Sequence, residues 1–220
     1  MNLFLQKTLD IFFPATCHVC QKDIFSGWAN AFVCPSCFSQ IHGETFTKVN
    51  LDPLQYLFSP FSFEGPMRSL VHAFKYGGKD YLGTLFGSFC AERFPFDKGF
   101  DSLVPIPTSY WKGWCRGYNP AELLAVELGE RWHKPVKTKW LHRNLFSISQ
   151  THLNRKKRMT NACKSYSFEG TVSVKGQRIL LVDDVFTTGA TLKVCAELLL
   201  KGGAKWVAGC TLAFDPLKTD

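Results

Sequence analysis

Ile179-Leu180-Leu181-Val182-Asp183-Asp184-Val185-Phe186-Thr187-Thr188-Gly189-Ala190-Thr191 holds, in order, an apolar strand, two carboxylates at its C-terminal end, a short threonine and glycine loop, and the start of a helix. In open parallel sheets, ligands bind beyond the carboxyl ends of the strands. A helix that begins there offers unpaired N–H groups and a partial positive charge, which suit a phosphate. Thr187, Thr188 and Thr191 add hydroxyl donors, and Gly189 lets the backbone come close to phosphate oxygens. Asp183 and Asp184 have no use for a phosphate, but they suit ribose hydroxyls and the water shell of a magnesium ion. The bland alternative is a strand end with turn-favouring residues. A receiver domain also carries an acidic pair after an apolar strand, but here only 36 residues, 185–220, follow Asp184, too few for four further strand–helix units.

Upstream, strand and helix alternate. Pro66 opens a predicted helix with Leu70, Val71 and Phe74 on one stripe, stopping at Tyr76-Gly77-Gly78, and a second helix is predicted over 79–93. Residues 102–104 read as a short buried strand running into Pro105-Ile106-Pro107. Asn119-Pro120-Ala121-Glu122 then supplies an N-cap, a proline in the first turn and a capping-box glutamate for a helix reaching about Trp132. A short strand is predicted at 136–139, a strand at 178–182, a helix over 190–201 closed by Gly202-Gly203, and a last strand at 206–213. This order predicts a parallel sheet flanked by helices. Between them, residues 143–161 are polar, basic and unpatterned, which reads as a long loop with a task.

The first 50 residues differ in kind. Cys17-x-x-Cys20 and Cys34-x-x-Cys37, separated by thirteen residues, have the spacing of two knuckles of a tetrahedral four-cysteine zinc site. So short a segment has too little core to fold without a staple. A redox dithiol or a disulfide pair is the alternative, and His18 and His42 are fallback ligands. A closed four-ligand site leaves no place for substrate, so such a zinc would be structural. Cys90, Cys115, Cys163, Cys195 and Cys210 read as small core hydrophobes. The expected division is 1–50, an N-terminal helix and zinc ribbon, and 51–220, the α/β domain.

Twenty-six Lys and Arg against eighteen Asp and Glu give a net charge of +8 in 220 residues, which favours phosphorylated metabolites or nucleic acid as partners. No apolar run approaches the roughly 20 residues that span a bilayer, so no membrane insertion is expected. The first 13 residues, with Lys7 alone as a basic group, make a poor secretory signal. Unbridged cysteines fit a reducing compartment, and the expectation is cytoplasmic.

The run 182–191 resembles the phosphoribosyl pyrophosphate loop of type I phosphoribosyltransferases. Together with the four cysteines, Phe74-Lys75-Tyr76-Gly77-Gly78, Arg116-Gly117-Tyr118-Asn119, and Gln150 followed by Arg158 and Asn161, it resembles the competence protein ComF family over nearly the whole chain. One departure is Pro120, where the family pattern has glutamine; a proline there suits a first helical turn. The resemblance implies 5-phosphoribosyl-1-pyrophosphate as ligand, with Thr187, Thr188, Gly189, Ala190 and Thr191 on the 5-phosphate and Asp183 and Asp184 on the ribose. Lys75, Tyr76 and Gly77 would hold the pyrophosphate, and magnesium would accompany it. A lysine before paired glycines suits an anion on its own chemistry, though lysines near helix ends are common for dipole reasons.

The basic segment 143–161, with Arg143, His152, Arg155, Lys156, Lys157 and Arg158, matches the position of a hood that closes over such sites, with Arg158 grouped with the two aspartates as catalytic. A solvated basic loop or a nucleic-acid contact is the alternative. The activity implied is transfer from phosphoribosyl pyrophosphate to an unidentified acceptor, in DNA uptake during natural transformation. Glutamine-dependent amide transfer is not expected from a chain that starts Met1-Asn2-Leu3. The rival function is a single-stranded DNA-binding competence factor whose ribose-phosphate site is regulatory, since basic charge and stacking aromatics, six of them tryptophan, suffice for that.

Overall fold

The structure is a computed structural model that describes residues 15–24, 32–41, 45–95, 99–108, 113–114, 116–144, 165–169 and 174–215. At its centre are the two longest strands, β7 (Arg178–Phe186) and β8 (Trp206–Phe214), parallel to each other. Both are apolar along most of their length because both faces are covered. Residues Leu180 and Val182 of β7 enter one core with Ala208, Cys210 and Leu212 of β8. Ile179 and Leu181, the alternate positions, enter a second core with Val207. That alternation is the two-residue period of a strand between two layers.

Around this pair the sheet runs β1-β2-β8-β7-β4, with β1 (Phe46–Leu51), β2 (Leu54–Ser59) and β4 (Ser102–Pro105), while the short β3 (Phe61–Ser62) also pairs with β8. Strands β2, β4, β7 and β8 are parallel, and β1 is antiparallel to β2. The sheet is therefore mixed, with a parallel centre. Among the described residues, α2 (Gly65–Tyr76), α3 (Leu82–Arg93) and α4 (Pro120–Trp132) fill the first core. On the other face lie α5 (Ala190–Lys201) and a two-stranded ribbon of β5 (Leu141–Arg143) and β6 (Tyr166–Phe168).

The cysteine segment contributes a short helix, α1 (Pro35–Ser39), and does not stand apart from the α/β body. Cys17, Val33, Cys34 and Cys37 belong to the first core, together with Phe86 and Cys90 of α3. Phe38 meets Phe89 with centroids 5.8 Å apart, Phe32 stacks on Tyr81 at 5.1 Å, and His18 Nε2 is 2.8 Å from the Tyr81 hydroxyl.

Several elements differ from their expected form. β1 begins at Phe46, so the sheet takes up residues on both sides of position 50. β7 runs through both aspartates to Phe186 because β8 continues to offer partners, Thr211 to Asp183 and Phe214 to Phe186. α3 starts at Leu82, since Lys79 and Asp80 are used in a turn whose carbonyls accept from Leu82 N–H and Gly83 N–H. The strand expected at 136–139 is a single bridge between Val136 and Leu103.

Candidate functional site

The site lies at the carboxyl ends of β4 and β7. Asp183 and Asp184 are the sixth and seventh residues of β7, both partly buried, and Asp184 N–H donates to Asp183 Oδ1 at 2.8 Å. Burial pushes the Asp183 carboxyl up to about 7, and the Asp184 charge beside it adds to that, against the opposing pull of Lys75. Lys75 reaches the pair from the last turn of α2, its Nζ 2.7 Å from Asp184 Oδ1, with both side chains less than one-fifth exposed.

Two side chains hold the surrounding segments together. Tyr118 donates its hydroxyl to the Phe74 carbonyl, tying the end of α2 to the segment before α4. Asn119 caps α4, accepting from Ala121 N–H at 3.2 Å, while its Nδ2 donates to the Ile106 carbonyl at 3.0 Å. One residue thus fixes the helix start against the end of β4. Gly77 closes α2, its N–H donating to the Ala73 carbonyl at 2.8 Å, and Tyr76 beside it is exposed, with the Arg116 guanidinium 4.4 Å from its ring centroid.

A cavity of about 190 Å³ opens between these groups, lined by Lys75, Tyr76, Arg116, Arg143, Asp183 and Asp184 among others. A smaller one of about 40 Å³ adjoins it, bounded by Thr187, Thr188, Gly189, Ala190 and Thr191 at the start of α5, and Asp183 and Thr191 line both. Gly189 caps α5 with φ +70°, and a Cβ there would stand 2.6 Å from Phe186 Cε2. The loop before α5 thus needs glycine on two counts, its left-handed backbone and the ring beneath it.

Asp183, Asp184, Lys75, Tyr76 and Thr187 to Thr191, singled out in the sequence, are brought to these two adjoining cavities. Arg158, Gln150 and Asn161, with nearly all of the expected hood, lie outside the described residues. Arg143 is described, and it sits in a strand, facing Tyr166 across the β5–β6 ribbon. Tyr166 carries no sequence signal of its own; a tyrosine in a short strand reads as core. Burial pushes its phenol up to about 12, against the nearby Arg143 charge.

The second site is the cysteine group. The sulfurs of Cys17, Cys20, Cys34 and Cys37 all lie within 4.8 Å of one another, and could hold a metal ion such as zinc. Burial works to raise the Cys17 thiol, but hydrogen bonds with the backbone at Cys34, Cys20 and Val19 bring it down to about 6, and burial pushes Cys37 up. Cys90, Cys195 and Cys210 are buried, as expected of core thiols, while Cys115 and Cys163 lie outside the described residues. No helix among the described residues is long and apolar enough to cross a membrane.

Residues 119–220 match the family model described as a phosphoribosyl transferase domain. The chain is 34% identical to competence protein ComFC of Bacillus subtilis (strain 168) over 159 residues, 70% of this chain and 62% of that protein. It is 27% identical to DNA utilization protein YhgH of Escherichia coli (strain K12) over 158 residues, 69% of each. Among solved structures, a glutamine phosphoribosylpyrophosphate amidotransferase from B. subtilis superposes with a TM-score of 0.46 and 16% identity, over 64% of this chain but 30% of that one. The last is a partial likeness.

Proposed function

Starting from a chain that is a relative of the ComF competence proteins and carries a phosphoribosyl transferase domain, we propose that it binds 5-phosphoribosyl-1-pyrophosphate with magnesium and serves DNA uptake during natural transformation. The observation that carries the reading is the meeting of Lys75 with Asp184 at 2.7 Å beside the glycine-capped start of α5. A cation for the pyrophosphate, carboxylates for the ribose and helix N–H groups for the 5-phosphate would thereby come from the linings of two adjoining cavities. The names of the two relatives, one a competence protein and the other a DNA utilization protein, support the cellular role.

Chemically, Asp183 and Asp184 would orient the ribose and hold the water shell of the metal, whose charge would neutralise the departing pyrophosphate. Lys75 would leave Asp184 for a pyrophosphate oxygen, and Thr187 to Thr191 would anchor the other end of the sugar. Anchoring both ends fixes the anomeric carbon for an acceptor, the contribution that positioning makes to rate.

The net charge of +8 and the exposed Tyr76 and Trp114 favour a second reading, a single-stranded DNA-binding factor in which the ribose phosphate regulates rather than reacts. The cysteine group supports a structural zinc in a cytoplasmic protein. A tetrahedral set with Zn–S of about 2.3 Å has sulfur–sulfur edges of about 3.8 Å, and Cys20 Sγ is 3.7 Å from Cys34 Sγ.

Calorimetry with phosphoribosyl pyrophosphate and magnesium, on the wild type and on Asp183→Ala with Asp184→Ala, tests the site: binding lost in the double variant is expected, and equal binding rejects it. Release of pyrophosphate with candidate acceptors then separates transfer from regulation. Filter binding of single-stranded DNA over a salt series tests the second reading.

A further inference from the structure

Among the described residues three cations line the larger cavity, and two are accounted for: Lys75 pairs with Asp184, and Arg116 lies over the Tyr76 ring. The third, Arg143, ends β5 directly opposite Tyr166 of β6. Its Nη1 donates to the Tyr166 hydroxyl at 3.3 Å, and its guanidinium carbon is 5.4 Å from the ring centroid. Its Nε, by contrast, is buried and has no acceptor among the described residues. A buried N–H of a charged group is costly to leave unpaired. An orphan on the wall of a polar cavity therefore points to a partner that arrives with the ligand.

The position of the pair says which part of the ligand. Thr191, in the first turn of α5, lines both cavities, and Tyr166 lines the larger one with it. Arg143 and Tyr166 therefore stand at the seam between the carboxylates and the helix start, and the Arg143 charge is felt by Asp183. Nε shares an edge of the guanidinium with Nη2, and such an edge matches two oxygens of a phosphoryl group.

We propose that Arg143 is a ligand-binding residue of this site, its Nε edge taking the 5-phosphoryl group of a bound sugar phosphate, with Tyr166 as the positioning residue that holds the other end of the guanidinium. This rests on the ribose-phosphate reading above. It assigns to a fixed strand residue a role distinct from that expected of a closing hood.

The test is calorimetry on the full chain with magnesium, using ribose 5-phosphate and inorganic pyrophosphate as separate probes. Arg143→Met should weaken ribose 5-phosphate by at least about tenfold, as for loss of one charge-assisted pair, and leave pyrophosphate within about twofold. Arg143→Lys, a single-point donor, should fall between, and Tyr166→Phe should weaken the same probe selectively. The ratio of the two affinities is the decisive readout, because a general loss of folding lowers both together. If Arg143→Met does not fold, the ratio in Arg143→Lys and Tyr166→Phe decides instead. A ratio unchanged from wild type overturns the assignment of Arg143 alone. A wild type that binds pyrophosphate but not ribose 5-phosphate, or binds neither, overturns the ribose-phosphate reading and this assignment with it.

Discussion

Gly189→Ala should be costly in a way that separates two causes. Alanine at φ +70° incurs the left-handed penalty of about 1–2 kcal/mol. Its Cβ would also stand 2.6 Å from Phe186 Cε2 and 3.2 Å from Cζ. That ring cannot simply withdraw, since it is stacked on Phe46 with centroids 5.4 Å apart. Overpacking of this kind typically costs a further 1–3 kcal/mol or so, which brings the total to about 2–5 kcal/mol. Gly176 provides the control: its φ is +75°, and a Cβ there would meet nothing within 4 Å, so Gly176→Ala carries the backbone penalty alone. Urea unfolding of both variants, at matched slope, gives the two costs. The expected order is wild type, then Gly176→Ala, then Gly189→Ala. Equal midpoints for the two variants would refute the claim that the Phe186 ring sets the shape of the loop at Gly189.

Asp183, with its carboxyl pushed up to about 7, binds a proton in the folded state that the unfolded chain has released above about pH 4. Its contribution to the stability of the ligand-free protein is thus full below about pH 4 and lost as pH rises through about 7; on the proposed function, magnesium-dependent binding of ribose 5-phosphate should run the other way, strengthening between about pH 6 and 8. Calorimetry across that range checks it, with Asp183→Asn expected to keep only the part of the profile that comes from the ligand's own phosphate, which titrates at about 6, and identical wild-type and variant profiles ruling the coupling out. For the cysteine group, Cys20→Ser should take bound metal from about one ion per chain to near zero and lower the thermal midpoint, as read by atomic emission and calorimetric melting. Cys90→Ser, outside the group, should keep its metal, and an equal loss there would refute the four-cysteine assignment.

The strand–loop–helix run 179–191 and the two cysteine pairs were legible because their chemistry is local: each is a run of neighbouring residue types that only a few geometries satisfy. The helix 120–132 was legible for the same reason, Asn119 and Pro120 being sufficient to start it. What escaped were features made by pairing across the chain. The β1–β2 hairpin turns at Asp52-Pro53, a local turn signal, but β1 carries exposed polar and charged residues such as Thr47 and Lys48, so the strand itself is marked only by its pairing with β2. Arg143 reads as one more cation in a basic tract until Tyr166 is placed opposite it, and its buried Nε then sets it apart from its neighbours in sequence. The same holds for Lys75 and Asp184, which come from different elements and meet only in the folded chain.

The single bridge at Val136 has a consequence for how the sheet ends. β4 is its outer strand on that side, and outer strands are open templates for pairing with another molecule. Here Leu103 N–H is taken by the Pro135 carbonyl at 3.0 Å, and the Leu103 carbonyl by Lys137 N–H at 2.8 Å. Two residues on, the next outward position is Pro105, which has no N–H to offer. Three residues of connecting chain and one proline therefore terminate lateral growth, and among the described residues a second polypeptide meets no free backbone ladder along the edge nearest the two aspartates.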